Sequence, residues 1–212
     1  MTTGPGRGRF ISLEGGEGVG KSTQAQALAA ALRARGIGLV ETREPGGSAG
    51  AEAIRGLLLQ GEEERWMPEA EALLFAAARA DHVARTIRPA LERGQWVLSD
   101  RFLDSSGAYQ GGAGRLGADR IRALHAFGSA GFLPDRTLLL QLPPQAAADR
   151  ARTRDGGAAD RIGARSPAYH AAVAAAFDEI VAAEPERVRR VDASGTAGEV
   201  TERLLDALVD LL

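Results

Sequence analysis

Short apolar runs alternate along the chain with longer segments in which apolar residues recur at helical spacing. The apolar runs predict β-strands at residues 10–13, 39–42, 95–99, 137–142 and 188–191. The run 137–142 is almost continuously apolar, which is typical of a parallel strand buried on both faces. The alternation predicts an α/β fold, a doubly wound five-stranded parallel sheet flanked by about seven helices, with ligands at the carboxyl ends of the strands.

Capping and turn residues set the expected limits of the helices. Ser48 is a candidate N-cap for a helix that ends near Leu59. A long helical pattern over 68–93 contains Pro89, which predicts a kink, and Gly94, which predicts its end. Glycines at 107–117 predict a loop before the next helix. The predicted helices cover residues 24–35, 48–59, 68–93, 119–132, 144–154, 169–183 and 198–212.

Length, composition and charge describe an ordinary globular chain and exclude several classes. The 212 residues predict a single domain over 9–212, preceded by a disordered tail over 1–8. There is no cysteine, which excludes disulfides and thiolate metal sites. The net charge of −2 gives no basic field for nucleic acid. No run reaches the roughly 18 apolar residues of a membrane span, and no signal peptide is visible, so we expect a cytoplasmic protein without a membrane partner.

The strongest chemical signal is a phosphate-binding loop between the first strand and the first helix. Gly15, Gly20, Lys21 and Ser22 fill the pattern G-x-x-x-x-G-K-[ST]. Glycines let backbone N–H groups approach phosphate oxygens, the lysine reaches the β- and γ-phosphates, and the serine hydroxyl ligates Mg²⁺. Lys21 is also the single lysine beside 25 arginines. The chain therefore keeps a compact, mobile ammonium at the one position where a transferring phosphoryl group needs it.

This loop alone leaves several nucleotide-binding classes open. A guanine-specific GTPase would offer an Asn-Lys-x-Asp motif, but the chain contains no asparagine and its only lysine belongs to the loop. DNA-dependent ATPases are usually larger and more basic. A small nucleotide kinase remains the leading interpretation, with a non-catalytic nucleotide sensor as the alternative of another class.

Three further clusters fit a kinase. Asp100-Arg101 follows a strand end, where the carboxylate can hold Mg²⁺ through water and the guanidinium can bind a second phosphate. Phe75 and Arg79 lie four residues apart, so one helix face can stack on a base and donate to its edge. A glycine-bearing segment at about 150–165 is rich in arginine and predicts a lid that neutralises developing charge. Its arginines are Arg150, Arg152, Arg154, Arg161 and Arg165.

With these clusters in place, the chain resembles bacterial thymidylate kinases from residue 10 to its last helix. The resemblance is carried by five ordered motifs. They are the phosphate loop at 14–23, TREPGG at 42–47, LFAAAR at 74–79, DRF at 100–102 and DSSGAYQG at 104–111.

The resemblance implies transfer of the γ-phosphoryl group of ATP to dTMP, with Mg²⁺, to give dTDP and ADP. It implies that Phe75 stacks on thymine, that Arg79, Gln110 and Ser106 read the polar edge of the base, and that Tyr109 disfavours a ribose. It further implies that Glu17 binds the 3′-hydroxyl, and that Arg55 and Arg101 bind the acceptor phosphate with Glu44 nearby. ATP would be bound by the whole loop: Gly15, Gly16, Glu17, Gly18, Val19, Gly20, Lys21, Ser22 and Thr23.

The loop contains no arginine, and the resemblance then implies that the lid supplies the catalytic one. The candidates are Arg152, Arg154 and Arg161, beside Lys21 and Arg101. The chain departs from the family pattern at Gly163 and Gln141, where an acidic residue is usual. Members of the family form homodimers through helices such as 68–93, which predicts a homodimer here. A kinase of the same fold acting on another nucleoside monophosphate or a deoxynucleoside is the alternative within the enzymes.

Overall fold

The computed structural model describes residues 7–155 and 160–212, without the side chains of residues 153–155. Five parallel strands form one sheet in the order β2-β3-β1-β4-β5. The strands are β1 (Phe10–Glu14), β2 (Leu39–Arg43), β3 (Trp96–Asp100), β4 (Arg136–Gln141) and β5 (Val188–Asp192). The predicted doubly wound parallel α/β fold is confirmed.

Helices cover both faces of this sheet. They are α1 (Lys21–Ala34), α2 (Ala49–Leu59), α3 (Pro68–His82), α4 (Arg88–Glu92), α5 (Leu103–Ser106), α6 (Ala118–Ser129), α7 (Pro144–Asp155), α8 (Pro167–Ala183) and α9 (Ala197–Asp206). Two π-helical segments, Val83–Ile87 and Gly107–Ala113, and a 3₁₀ turn, Glu63–Arg65, join some of them.

The central strand β1 is buried on both faces, since successive residues along it pack into different apolar cores on opposite sides of the sheet. Ile11 packs with Leu28 and Leu32 of α1 and with Leu204 of α9. Phe10, the preceding residue, packs in the other core with Ile87 and Phe102 and stacks on the ring of Phe132 at 5.7 Å. Both Phe10 and Ile11 are fully buried. The near-continuous apolar character of the central strands follows from this two-sided burial.

Strand register brings the chemical motifs to one edge of the sheet. Leu13 of β1 and Arg43 of β2 both pair with Asp100, the last residue of β3. The phosphate loop that follows β1, the turn that follows β2 and the Asp100-Arg101 pair therefore leave the sheet side by side. This edge is where a parallel α/β sheet binds its ligands.

The structure corrects three details of the predicted elements. Residues 107–113 are π-helical and not a loop, because burial of Ala108, Tyr109 and Gln110 against α8 outweighs the low helix propensity of the glycines. The pattern over 68–93 is helical to Glu92 but passes through a π-helical segment before Pro89, which accommodates the proline. The last helix ends at Asp206 and continues as turns. The predicted N-cap at Ser48 is confirmed, since its side chain accepts from the backbone N–H of Ala51 at 3.3 Å.

Of the tail predicted at 1–8, residues 1–6 lie outside the described residues, while Gly8 is buried and donates to the carbonyl of Leu91 at 3.3 Å. Within the described ranges, no helix combines the length and the apolar character that crossing a membrane requires.

Candidate functional site

A cleft of about 820 Å³ opens at the carboxyl edge of the sheet. This volume lies within the usual range for small-molecule sites. Its walls come from the phosphate loop, the turn after β2, α3, the Asp100-Arg101 pair, the π-helical segment 107–113 and both ends of the lid segment. The predicted site residues that line it are Glu17, Gly18, Val19, Gly20, Lys21, Ser22, Thr23, Glu44, Arg55, Phe75, Arg79, Asp100, Arg101, Ser106, Tyr109 and Gln110.

Two glycines shape the phosphate loop. Gly20 precedes α1 with φ 91°, a left-handed conformation that glycine adopts without steric cost. Gly18, with φ 74°, lies so close to α7 that a Cβ would come within 2.0 Å of the carbonyl oxygen of Ala147. The loop therefore packs directly on the helix that carries the first lid arginines. Gly15 and Gly16 complete the loop, and the carbonyls of both accept hydrogen bonds from basic side chains of the site.

The ammonium of Lys21 lies inside the loop. Its Nζ donates to the carbonyl of Gly16 at 2.7 Å, and the residue is 7% exposed. Burial, reinforced by the guanidinium of Arg101, lowers the pKa of Lys21 to about 8. An anion that binds beside Lys21 would stabilise its charged form and so raise this pKa.

The next residue of the motif meets the end of β3. The hydroxyl of Ser22 donates to Asp100 Oδ2 at 2.9 Å. Hydroxyl and carboxylate oxygens are the ligand types that Mg²⁺ prefers, so this pair fits that ion. Within the described ranges no group of three or more His, Asp or Glu side chains could hold a metal. A metal bound here would therefore take most of its ligands from phosphate and water, as is usual for Mg²⁺.

Arg101 joins the loop to the wall opposite. Its guanidinium donates to Glu17 Oε1 at 2.6 Å, to the carbonyl of Gly15 at 3.1 Å and to Ser105 Oγ at 3.1 Å. It also lies over the ring of Tyr109, 5.0 Å from its centroid. Arg101 holds φ 71°, an uncommon conformation for a residue other than glycine, and strain of this kind concentrates at functional sites.

The phenol of Tyr109 is locked between these groups. Its hydroxyl lies 3.3 Å from Arg101 Nη2 and donates to Glu17 Oε1 at 3.4 Å. Burial raises the pKa of Tyr109 to about 12, although Arg101 opposes the shift. The ring is therefore a neutral, rigid wall at neutral pH.

Arg79 is held by a buried network at the inner end of the cleft. Its guanidinium donates to Glu44 Oε2 at 2.7 Å, to Ser106 Oγ at 2.8 Å and to the carbonyl of Phe102 at 3.1 Å. His82 Nδ1 lies 3.0 Å from the other oxygen of Glu44, and its Nε2 lies 2.7 Å from Thr42 Oγ1. Arg79 is thus positioned by groups of the protein itself, and we call the surface formed by Phe75, Arg79, Ser106 and Gln110 the inner wall of the cleft.

A second buried network fixes Gln110. Its Nε2 donates to Glu71 Oε1 at 2.9 Å. The other oxygen of Glu71 accepts from Arg161 at 2.5 Å and from Arg165 at 2.7 Å. Phe75, one helical turn after Glu71, is half-buried and lines the cleft.

The remaining predicted basic residue of the acceptor end is Arg55. It lines the cleft and donates to the carbonyl of Pro45 at 2.7 Å. Burial and the nearby guanidinium of Arg43 lower the pKa of Arg55 from its usual value. A bound anion would relieve both effects.

The three candidate lid arginines lie in different environments. Arg152 is 71% exposed and pairs with Asp149, one turn earlier on α7. The side chain of Arg154 lies outside the described residues. Arg161 is fully buried, donating to Glu71 and to the carbonyls of Leu58 and Glu63, and it is not among the residues that line the described cleft. In this arrangement Arg161 anchors the C-terminal part of the lid segment to Glu71 and to the backbone of residues 58 and 63.

Sequence reasoning missed three buried residues. Glu14, at the end of β1, accepts from the backbone N–H groups of Phe102 and Ser105 and from Ser105 Oγ. Burial, with the charge of Asp104, raises its pKa to about 7. The other two are Glu71 and His82. For Glu71 and His82 the only available signal was a polar residue within a helical pattern, and for Glu14 it was a carboxylate at the end of an apolar strand.

Comparisons with known proteins agree with this geometry. The family model described as thymidylate kinase matches residues 13–204. A thymidylate kinase of Rhizorhabdus wittichii is 66% identical over 97% of this chain and 99% of its own length. Those of Gluconobacter oxydans and Caulobacter vibrioides are 50% and 48% identical, over 98% and 97% of this chain and 97% and 98% of their own lengths. The chain therefore belongs to the thymidylate kinase family and is a kinase with thymidylate kinase activity.

Proposed function

We propose that the cleft binds ATP at the phosphate loop and dTMP at the inner wall, and that it transfers the γ-phosphoryl group of ATP to the phosphate of dTMP. The observation that carries this proposal is the position of Arg79 and Gln110 in the same cleft as the phosphate loop. Such a cleft suits an acceptor with a polar base edge at one end and a phosphate at the other. Transfer needs no covalent intermediate, so the protein contributes positioning and charge neutralisation.

The base contacts follow from the donors and acceptors of the inner wall. Arg79 presents its guanidinium with Ser106 beside it, which suits the O4 acceptor of thymine. Gln110, held by Glu71, adds a polar group to the same edge, and Phe75 offers a ring for stacking. Glu44 does not need to touch the base, because its two oxygens are occupied by Arg79 and His82.

The sugar would lie against Tyr109 and Glu17. The buried, neutral ring of Tyr109 would crowd C2′ of the sugar, where a ribose carries its extra hydroxyl. Glu17, at the loop, is the acceptor for the 3′-hydroxyl. Discrimination against ribose then rests on crowding and on desolvation of the extra hydroxyl.

The phosphates are neutralised by Lys21 from the loop side and by Arg101 and Arg55 from the acceptor side. Lys21 lies at the start of α1, so the helix N-terminus adds to its field. We assign Mg²⁺ to the oxygens of Ser22 and Asp100, where it would neutralise phosphate charge and orient the phosphate oxygens.

The lid supplies a further guanidinium to the transferring group. Arg152 and Arg154 are the stronger candidates, because Arg161 is committed to Glu71. Arg150, on the same helix, already lines the cleft.

We also propose that the enzyme acts in the cytoplasm as a homodimer. Helices α3 and α6 pack against each other and expose Leu73 and Phe127, the latter 93% exposed. Exposed apolar side chains on neighbouring helices are suited to a symmetric contact. Light scattering of the parent and of Phe127→Glu tests this: the parent should have twice the mass of the variant, and two equal masses would refute this contact.

The acceptor assignment is tested by measuring ADP release with ATP and Mg²⁺ over dTMP, dUMP, UMP, dCMP, AMP, GMP and thymidine. Strong preference for dTMP over UMP and thymidine is expected. Preference for another monophosphate would discard the roles of Phe75, Arg79, Tyr109 and Gln110. No turnover with any acceptor would support a nucleotide sensor.

A further inference from the structure

Glu71 is a buried carboxylate of α3 to which the proposed mechanism gives no direct role. Its side chain is 3% exposed, yet three side chains donate to it. Gln110 donates to Oε1 at 2.9 Å, and Arg161 and Arg165 donate to Oε2 at 2.5 and 2.7 Å. These donors lie 39, 90 and 94 positions away in the chain, so only the folded protein assembles this site.

The two guanidiniums stabilise a negative charge on Glu71, because a buried carboxylate between two cations is paired and hydrogen-bonded. An ionised carboxylate only accepts hydrogen bonds. The amide of Gln110 must therefore direct its NH₂ group, and not its carbonyl oxygen, toward Glu71. The donor end of Gln110 is then committed, and the carbonyl Oε1 is the end that remains for a ligand.

We propose that Glu71 is a positioning residue that sets base preference by holding the carbonyl of Gln110 toward the nucleobase. This inference rests on the proposed function, which assigns Gln110 to the base edge. Thymine carries a hydrogen on N3 that a carbonyl oxygen can accept. Cytosine carries a lone pair at N3, which the same oxygen repels. Glu71 thus selects a base with an N3–H although it does not touch that base.

Glu71→Gln tests this with the smallest change of shape. An amide at position 71 can either accept or donate, so it no longer dictates the orientation of Gln110. We expect the ratio of kcat/KM for dTMP to kcat/KM for dCMP to fall about tenfold or more, as one hydrogen bond is lost for dTMP and one repulsion for dCMP. The ratio does not depend on the folded fraction of the sample.

The matched control is Glu69→Gln, which removes the same charge from an exposed position of the same helix. Its ratio should equal that of the parent. Glu71→Asp is the second variant, since it keeps the charge that Arg161 and Arg165 require but withdraws the oxygen from Gln110 by about 1.5 Å. Glu71→Asp should fold even if Glu71→Gln fails to fold. Its ratio of kcat/KM for dTMP to kcat/KM for dCMP should also be lower than that of the parent.

Gln110→Ala, assayed in parallel, separates the two levels of the argument. If Gln110→Ala and the Glu71 variants all lower the ratio, the inference stands. If Gln110→Ala lowers it while both Glu71 variants keep it within twofold of the parent, Glu71 has no positioning role and the base assignment survives. If Gln110→Ala itself leaves the ratio unchanged, the base assignment of Gln110 fails and this inference fails with it.

Discussion

The inner wall of the cleft and the lid hold their arginines in opposite ways. Arg79 is 3% exposed and is bound by Glu44, Ser106 and the carbonyl of Phe102, which lie 23 to 35 positions away. Arg152 is 71% exposed, and its partner Asp149 lies three residues earlier on the same helix. A buried guanidinium must be paired within the protein, whereas an exposed one is stabilised by water and gains little from a local pair.

This difference separates recognition from chemistry. In the proposed function the groups that read the base are already held in place by the protein, so we expect acceptor selection to need no rearrangement of the inner wall. Among the described residues, Arg152 has its ion pair within its own helix, so in the proposed function it can be recruited when two polyanions fill the cleft.

The largest effect is expected in the lid. Arg152→Ala or Arg154→Ala should lower kcat on the order of 10³-fold or more, because a guanidinium that neutralises charge in the transition state raises kcat by such a factor. Arg161→Ala should instead lower the free energy of unfolding, since it leaves Glu71 with one guanidinium fewer. Steady-state kinetics and denaturant unfolding of all three variants measure this. Turnover within threefold of the parent in all three would refute the lid assignment.

The next effect breaks the inner wall. Arg79→Ala leaves the buried carboxylate of Glu44 without its guanidinium, so we expect a loss of about 3 kcal/mol in the free energy of unfolding and roughly a hundredfold lower kcat/KM for dTMP. Arg85→Ala is the matched control, because Arg85 is 72% exposed and pairs with Asp81 one turn earlier. It should change the free energy of unfolding by less than about 0.5 kcal/mol. Equal losses in the two variants would contradict a special role for burial.

Features that depend on residues close together in the sequence could be predicted, whereas features that depend on residues far apart in the chain could not. The positions of the strands along the chain, the phosphate loop that follows the first strand, and the spacing of Phe75 and Arg79 are local patterns, and all of them were predicted. Glu71 and His82 acquire their roles only from partners more than 35 positions away, which no local pattern encodes. The π-helical segment 107–113 was missed for the same reason, since α8 supplies the packing that its glycines permit.

A third prediction concerns the buried carboxyl of Glu14. Its pKa, raised to about 7 from 4.5, means that the folded state holds a proton that the unfolded state has lost between these pH values. Stability from this group is therefore complete below pH 4.5 and is lost as the pH rises to 7, by up to about 3 kcal/mol. Urea unfolding of the parent at pH 5 and 7.5 should show this loss, and Glu14→Gln should not. An identical pH dependence in both proteins would contradict the raised pKa.

The smallest effect is the pH dependence of ATP use. Because burial lowers the pKa of Lys21 to about 8, the free enzyme loses this cation as the pH rises through 8. We expect kcat/KM for ATP to fall above pH 8, by up to about tenfold per pH unit. Lys21→Arg keeps its charge over this range, so whatever activity remains should show no such decline. A parent profile that stays flat to pH 10 would show that Lys21 keeps its proton.

Calorimetry of dTMP and dCMP binding to the ATP-free enzyme shows whether the inner wall is complete before ATP binds. We predict that dTMP binds at least about tenfold more tightly than dCMP, with the preference expected from one hydrogen bond gained and one repulsion avoided. Equal affinities without ATP, with the preference for dTMP appearing only when an unreactive ATP analogue is added, would contradict the claim and show that the base site is assembled by the donor.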